Sequence, residues 1–411
     1  MNVGPGLSGT IAPLEGFEER CTDRRPECLS VSPHQPRSSR DLRIDFLRGL
    51  ALITIFIDHV PGNPLNLFTM RNFGFADAAE LFVILAGISS MLAYGKHLKS
   101  ESFTAGFRRI VERCLRIYAC QILMLVVTLA LVQEWRVHFD LKPVQLAPFF
   151  ERPFTAFGQA LVLHAQPASL NILPLYIVLL VLFPLIYIGL RRSPQWTLAI
   201  SATIWLATNI DAGFNFTNWL DGQEWFFNPF AWQFLFTLGA FGAVLLQRNG
   251  GDWPRVSFIA FASWAYLIGA FVLAAPWSNW GLPNVRLFDF DAPDKTDLSP
   301  VRLANILAFI YLALSSANLQ RCAAQAWASP IVACGKHSLE VFTFGTLLAL
   351  VFRLLFRTFG SSWWLDVLVN LVGIGALLWL AHLLERRRAR LRQRERQRQP
   401  FRAVASAIPG H

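Results

Sequence analysis

Arg43-Ile-Asp-Phe-Leu-Arg-Gly-Leu-Ala-Leu-Ile-Thr-Ile-Phe-Ile-Asp-His59 sets charged groups at both ends of an apolar run long enough to approach the width of a bilayer. Arg43, Asp45 and Arg48 stand at one end, Asp58 and His59 at the other. In hydrocarbon such groups persist only at an interface or facing a polar interior, so this stretch predicts a membrane helix with chemistry built into it. Arg48 and His59 are eleven residues apart, which returns them to within about 20° of one helix face, about 16 Å apart along the axis. Pro61 ends the helix soon after His59.

The rest of the chain agrees with that class. Of 411 residues, 54% are hydrophobic and only 16% charged, and the mean hydropathy is +0.40, which excludes an ordinary soluble protein. Apolar runs at about 44–60, 78–95, 112–133, 171–190, 196–210, 229–247, 256–275, 303–319, 337–356 and 363–383 predict an all-α, polytopic membrane protein with about ten transmembrane helices. Lys and Arg collect in alternate connections, at Lys96, Lys99, Arg108 and Arg109, then Arg191, Arg192, Arg248, Arg255, Arg321 and Lys336, which predicts both termini in the cytosol. Residues 1–40 read as a disordered cytosolic tail, 41–384 as one membrane domain and 385–411 as a basic cytosolic tail. The arginines between 386 and 402 suit anionic lipid and topology rather than nucleic acid. All six cysteines, Cys21, Cys28, Cys114, Cys120, Cys322 and Cys334, fall on the predicted cytosolic side without zinc spacing, so neither disulfide nor metal is expected. The semi-apolar connection from 134 to 170 suits a helix lying at the outer interface and covering a cavity. Asp294 to Pro300 reads as helix-start chemistry.

Chemistry concentrates at the end of the first span. His59 is suited to general-base work near neutral pH, and a carboxylate could hold its tautomer. Adjacent residues on a helix point about 100° apart, so the carboxylate could be Asp58 or, from the start of the next span, Glu80. The connector holds Pro61-Gly-Asn-Pro64 and Arg71-Asn72, a clustering that favours function over idle hydrated groups in the headgroup layer. Arg109, Arg113 and Arg116 share a face of the third span by their spacing. Such a row suits an anionic ligand at the cytosolic mouth, and positive-inside topology explains it equally well. His337 and Glu340, one turn apart, and His164, Asn171, Trp225, Asn228, Gln233 and Asn305 near outer span ends read as caps, anchors or interhelical hydrogen bonds.

Arg43-Ile-Asp-Phe-Leu-Arg-Gly-Leu-Ala51, His59 and Arg71-Asn-Phe-Gly-Phe-Ala-Asp-Ala-Ala-Glu-Leu-Phe-Val-Ile-Leu-Ala-Gly87 together resemble the OpgC family of inner-membrane proteins that succinylate osmoregulated periplasmic glucans. His164-Ala-Gln-Pro-Ala-Ser-Leu-Asn-Ile-Leu-Pro-Leu-Tyr176, Trp225-Phe-Phe-Asn-Pro-Phe-Ala-Trp-Gln-Phe234 and Gly335-Lys-His-Ser-Leu-Glu-Val-Phe342 extend the resemblance, which runs from about 41 to 383. The family is similar to the wider acyltransferase-3 superfamily, whose Arg-then-His and Arg-x-x-Arg marks match Arg48 with His59 and Arg113 with Arg116. The resemblance implies a membrane O-acyltransferase that binds no cofactor and takes its acyl group from an acyl-CoA, succinyl-CoA by family. His59 would be catalytic, with Asp58 or Glu80 as its partner. Arg48, Arg109, Arg113 and Arg116 would hold the donor, and Arg71, Asn72, Asn171, Trp225 and Asn228 are candidates on the acceptor side. Its partners would be acyl-CoA, a periplasmic glucan and the lipid bilayer. Acylation of another surface polysaccharide, and proton-coupled transport through Asp58, His59 and Glu80, are the competing functions.

Overall fold

The computed structural model describes residues 41–100, 103–139, 144–211, 213–283, 292–360 and 362–405. The expected tail at 1–40, with Cys21 and Cys28, lies outside them, as do the side chains of Lys96, Lys99, Arg396, Arg398 and Arg402. Among the described residues fourteen α-helices follow one another: α1 (Leu42–His59), α2 (Ala78–Ser100), α3 (Phe103–Phe139), α4 (Ala147–Glu151), α5 (Pro153–Leu161), α6 (Ile172–Arg192) and α7 (Pro194–Ile210), then α8 (Pro229–Arg248), α9 (Ser257–Ala274), α10 (Pro300–Ser315), α11 (Ala317–Ala323), α12 (Ser329–Lys336), α13 (Ser338–Phe359) and α14 (Trp363–Ala405). Among the described residues the only extended pairing is a single bridge between Thr217 and Glu224.

A helix covers each of the ten expected spans, but among the described residues only seven are long and apolar enough to cross a membrane: α2, α3, α6, α8, α9, α13 and α14. Three fall short for separate reasons. The first, α1, carries Arg43, Asp45, Arg48 and Asp58 within its 18 residues. The second, α7, stops at 17 residues. The third, α10, has 16 and meets α11 at a bend of 72°, so that pair counts as an eighth span only if taken together. The C-terminal basic run continues α14 as helix as far as Ala405.

The charges of α1 are tolerated because the helix is wrapped by protein, not lipid. It packs against α2, α12, α13 and α14, and Arg43, Asp45 and Arg48 are all buried. Asp41 caps the helix by accepting from the Arg43 backbone N–H. The same carboxylate pairs with the Arg43 guanidinium, which also donates to the Leu314 carbonyl at 2.5 Å. Arg48 donates to the Leu85 carbonyl at 2.9 Å and to the Ser89 hydroxyl, both on α2.

Two helix pairs touch backbone to backbone. A Cβ on Gly87 would run into the Phe236 carbonyl, and one on Gly239 into the Ile84 carbonyl, so α2 and α8 approach as closely as two helices can. Gly49 and Gly335 do the same for α1 and α12. We expect Gly87→Ala to cost about 1–3 kcal/mol, because the obstacle is backbone that cannot rotate away. Gly375→Ala, where a Cβ meets open space, should leave the melting temperature of the solubilised protein unchanged or slightly raised. Equal melting of the two variants would refute the close approach.

Candidate functional site

A cavity of about 1070 Å³ opens at the end of the bundle where α1 finishes. Its wall is assembled from the end of α1 (Asp58, His59), the connector to α2 (Arg71, Asp77), the start of α6 (Asn171), the segment before α8 (Trp225) and the segment before α10 (Lys295). The α4–α5 region stands over the same end, with Gln145 in the wall. Phe154 of α5 is 94% exposed and Tyr118 of α3 holds the Leu161 carbonyl at 2.8 Å, an arrangement suited to an interfacial helix.

The end of α1 is held by side chains. The last carbonyls of a helix have no helical partner, and here Asn63 donates to Ile57 at 2.6 Å and to Val60 at 3.0 Å. Arg353, from α13, donates to the His59 carbonyl at 3.2 Å and to the Ser169 hydroxyl at 3.4 Å. The His59 ring meets the Ile55 carbonyl through Nδ1 at 2.6 Å. A carbonyl only accepts, so that contact assigns the proton of the neutral ring to Nδ1 and leaves the lone pair on Nε2. A histidine fixed in this way is ready to take a proton. Neither carboxylate offered by the sequence fills the place that Ile55 takes. Asp58 accepts from the Thr69 hydroxyl at 2.7 Å, which fixes the connector against the helix end.

Glu80 is fully buried and belongs to a second constellation. Asp77 and Glu80 form a capping box at the start of α2: the Asp77 N–H donates to Glu80 at 3.0 Å and the Ala79 N–H to Asp77 at 2.8 Å. Arg302 of α10 donates to Glu80 at 2.6 Å and approaches Asp77 at 3.4 Å, and Lys295 forms an ion pair with Asp77. Lys295 is itself placed by a pinned segment. Trp232 donates to the Thr296 carbonyl at 3.1 Å, Asn209 to the Asp297 carbonyl at 2.9 Å, Trp205 to the Leu298 carbonyl at 2.8 Å and Asn228 to the Asp297 carboxylate at 2.6 Å. Asp294 accepts the N–H groups of Thr296 and Asp297 in the turn before α10; of the expected helix start, Pro300 opens the helix but the N-cap Ser299 makes no side-chain capping bond.

Burial alone would raise the Asp77 carboxyl, but the neighbouring cations, Lys295 above all, hold it well below the usual carboxylate range. Burial pushes the Asp297 carboxyl up, against the pull of the Asn228 hydrogen bond. A depressed folded-state pKa contributes stability that is complete above the unfolded value near 4 and is lost as pH falls toward the folded one. Lys295→Met should therefore melt below wild type at pH 7, with the gap closing as pH drops below about 4. A gap that widens in acid would contradict the pairing.

The sequence-derived candidates divide accordingly. Asp58, His59, Arg71, Asn171 and Trp225 line the cavity. Asn228 is buried behind it as the cap of α8, and Asn72 donates to the Asn66 carbonyl at 2.7 Å. The arginine row is elsewhere. Since α2 runs for 23 residues from Ala78, two before Glu80, to Ser100, or roughly 35 Å, the start of α3 lies at the far end of the bundle. There Arg109 meets the His97 ring, Arg113 is half-buried and Arg116 exposed. His337 pairs with Glu385 of α14 at 3.0 Å rather than with Glu340. Asp77, Lys295, Arg302 and Arg353 escaped the sequence reading. The Asp-x-x-Glu spacing before an apolar run signals the capping box, and an arginine within the ninth apolar run is by itself a functional flag.

No curated protein and no solved structure matches the chain. The family model described as OpgC protein matches residues 40–389, which contain the cavity and both charge constellations. The chain therefore belongs to the OpgC family, whose membership carries acyltransferase activity as its general class.

Proposed function

We propose that this protein is an O-acyltransferase of the bacterial inner membrane, with ten spans and both termini in the cytosol, that moves a succinyl group from succinyl-CoA to hydroxyls of a periplasmic glucan. The observation that carries the reading is His59, held through Nδ1 at the wall of a cavity large enough for several sugar rings and bordered by carboxylates, amides and Trp225. Family membership supports the reaction class.

In this reading the acceptor hydroxyl lies in the cavity and the thioester carbonyl reaches His59 from the opposite side of the membrane. As the hydroxyl oxygen adds to the carbonyl, its proton passes to Nε2 of His59. The C–S bond then breaks, the proton goes to the departing sulfur, and the products are an ester and free CoA. Transfer through an acyl-histidine uses the same nitrogen as nucleophile. Arg353 acts as a positioning residue by holding the His59 carbonyl. Arg109, Arg113 and Arg116, at the other end, are placed to attract the donor's phosphates, while Arg48 keeps the intervening part of α1 polar. Asp58 and Glu80 support the site through Thr69 and Arg302. Mass spectrometry of periplasmic glucans tests the donor and acceptor together. Strains with the protein should show a succinyl mass increment that a deletion strain lacks, and identical glucans from both strains would refute the assignment.

A further inference from the structure

Resting on the reading of this protein as a succinyltransferase, we infer that Arg353 does more than hold the His59 backbone: its guanidinium binds the free carboxylate of the succinyl group and so selects the acyl donor.

Arg353 is a cation without an anion. It lies within α13, one of the helices apolar enough to cross a membrane, where an arginine is costly and marks a site that needs a partner. Two other arginines of the bundle, Arg43 and Arg302, are buried against carboxylates, Asp41 for the first and Asp77 with Glu80 for the second. Among the described residues Arg353 forms no ion pair. Its hydrogen bonds go to neutral groups, the His59 carbonyl at 3.2 Å and the Ser169 hydroxyl at 3.4 Å. Arg357, one turn further along α13, is exposed and adds charge of the same sign.

The surroundings indicate which anion fits. Both partners of Arg353, His59 and Ser169, belong to the cavity wall, so the guanidinium bridges two residues that a substrate meets. A guanidinium carries five N–H donors. The two terminal nitrogens are in use, while Nε makes no hydrogen bond and is not among the polar atoms sealed inside the protein. Hydrocarbon offers that N–H no acceptor. The guanidinium also touches the backbone of the residue whose ring takes the proton, which keeps it within a side chain's length of the reacting nitrogen. In a succinyl thioester the carboxylate stands two methylene groups from the reacting carbonyl, a separation of the same order. With that carbonyl at His59 and the sulfur directed back toward the arginine row, the acyl tail reaches Arg353, whose planar fork suits a carboxylate. A donor ending in a methyl group leaves the cation unpaired, which is how a site built for a polar group rejects an apolar analogue.

The test uses full-length protein in proteoliposomes with glucan on the face of the cavity and either succinyl-CoA or butyryl-CoA as donor. Butyryl has a methyl group where succinyl has its carboxylate, and the readout is the ratio of the two kcat/KM values. Wild type should favour succinyl-CoA by about 10–100-fold, the range for a charge-assisted hydrogen bond. Arg353→Met should slow both donors by loosening His59, and in addition bring the ratio close to one. Arg353→Lys, which keeps the charge and loses the fork, should fall between. If Arg353→Met turns over neither donor, the Kd values of two unreactive thioethers, carboxypropyl-CoA and butyl-CoA, supply the same ratio without chemistry. A guanidinium that only positions His59, or that binds a lipid phosphate, affects both donors alike, so a ratio unchanged by Arg353→Met overturns the inference. A wild-type ratio near one also overturns it and leaves acyl transfer standing. Transfer of neither acyl group by wild type overturns the functional reading on which the inference rests.

Discussion

His59→Ala membranes should transfer labelled succinyl groups to glucan at least about 10²-fold more slowly than wild type, with a ceiling near 10⁴-fold, the range for losing a positioned general base. The effect is expected to be this large because both routes, proton removal and acyl-histidine formation, require the same Nε2 lone pair, and the contact of Nδ1 with Ile55 leaves the neutral ring one basic nitrogen. The fold should survive, since the Ile57 and His59 carbonyls are held by Asn63 and Arg353 rather than by the imidazole. His164→Ala is the control. That ring contacts Gln159 at 2.8 Å, and its loss should leave most of the activity. A His59→Ala rate within about threefold of wild type would remove His59 from the mechanism, because a group that contributes to catalysis costs far more than that when deleted.

The second large effect belongs to Arg302. Its guanidinium holds Glu80 at 2.6 Å in a place where the carboxylate is wholly inaccessible and Arg302 itself only 8% exposed. Breaking one side of a buried pair leaves an uncompensated charge and costs about 3–5 kcal/mol. Arg302→Met should therefore lower the melting temperature sharply and reduce transfer in parallel. The double variant Arg302→Met/Glu80→Gln should recover part of the loss, since it removes the orphaned charge as well. This separates two roles for Glu80. A catalytic carboxylate would make Glu80→Gln inactive at wild-type stability, whereas a structural one makes loss of activity follow loss of fold. If Arg302→Met melts with wild type, the buried pair does not hold the start of α2 against α10.

Much of the architecture could be read from hydropathy, because lipid forces the backbone of a spanning segment to bond within itself and so writes apolar runs into the sequence. All ten expected stretches are helices. The three short or charged ones show where that logic weakens. Four charges on α1 disqualify it as a lipid-facing span, yet they are what a helix surrounded by α2, α12, α13 and α14 can carry. Sequence marks a helix as polar but not as central. His59, Asp58 and Trp225 were legible because histidine, carboxylate and tryptophan at the ends of apolar runs are few. Their partners were not. Arg302 is 222 residues from Glu80 and Arg353 is 294 from His59, and no local pattern records contacts between helices so distant in the chain. Position along the chain suggests Asp58 and Glu80 as partners for His59, whereas the partners in the fold are a backbone carbonyl for His59 and a distant arginine for Glu80.

Acyl transfer across the membrane at His59 can be followed in one reconstituted reaction. Purified protein in proteoliposomes, given succinyl-CoA labelled in the acyl group on the face of the arginine row and glucan on the face of the cavity, should release free CoA and place label on glucan in equal amounts. Both signals should vanish in His59→Ala. Glucan that stays unlabelled while wild-type protein releases no CoA, with uptake of solute driven by a pH gradient instead, would contradict the account and make the Asp58–His59 end a transport pathway.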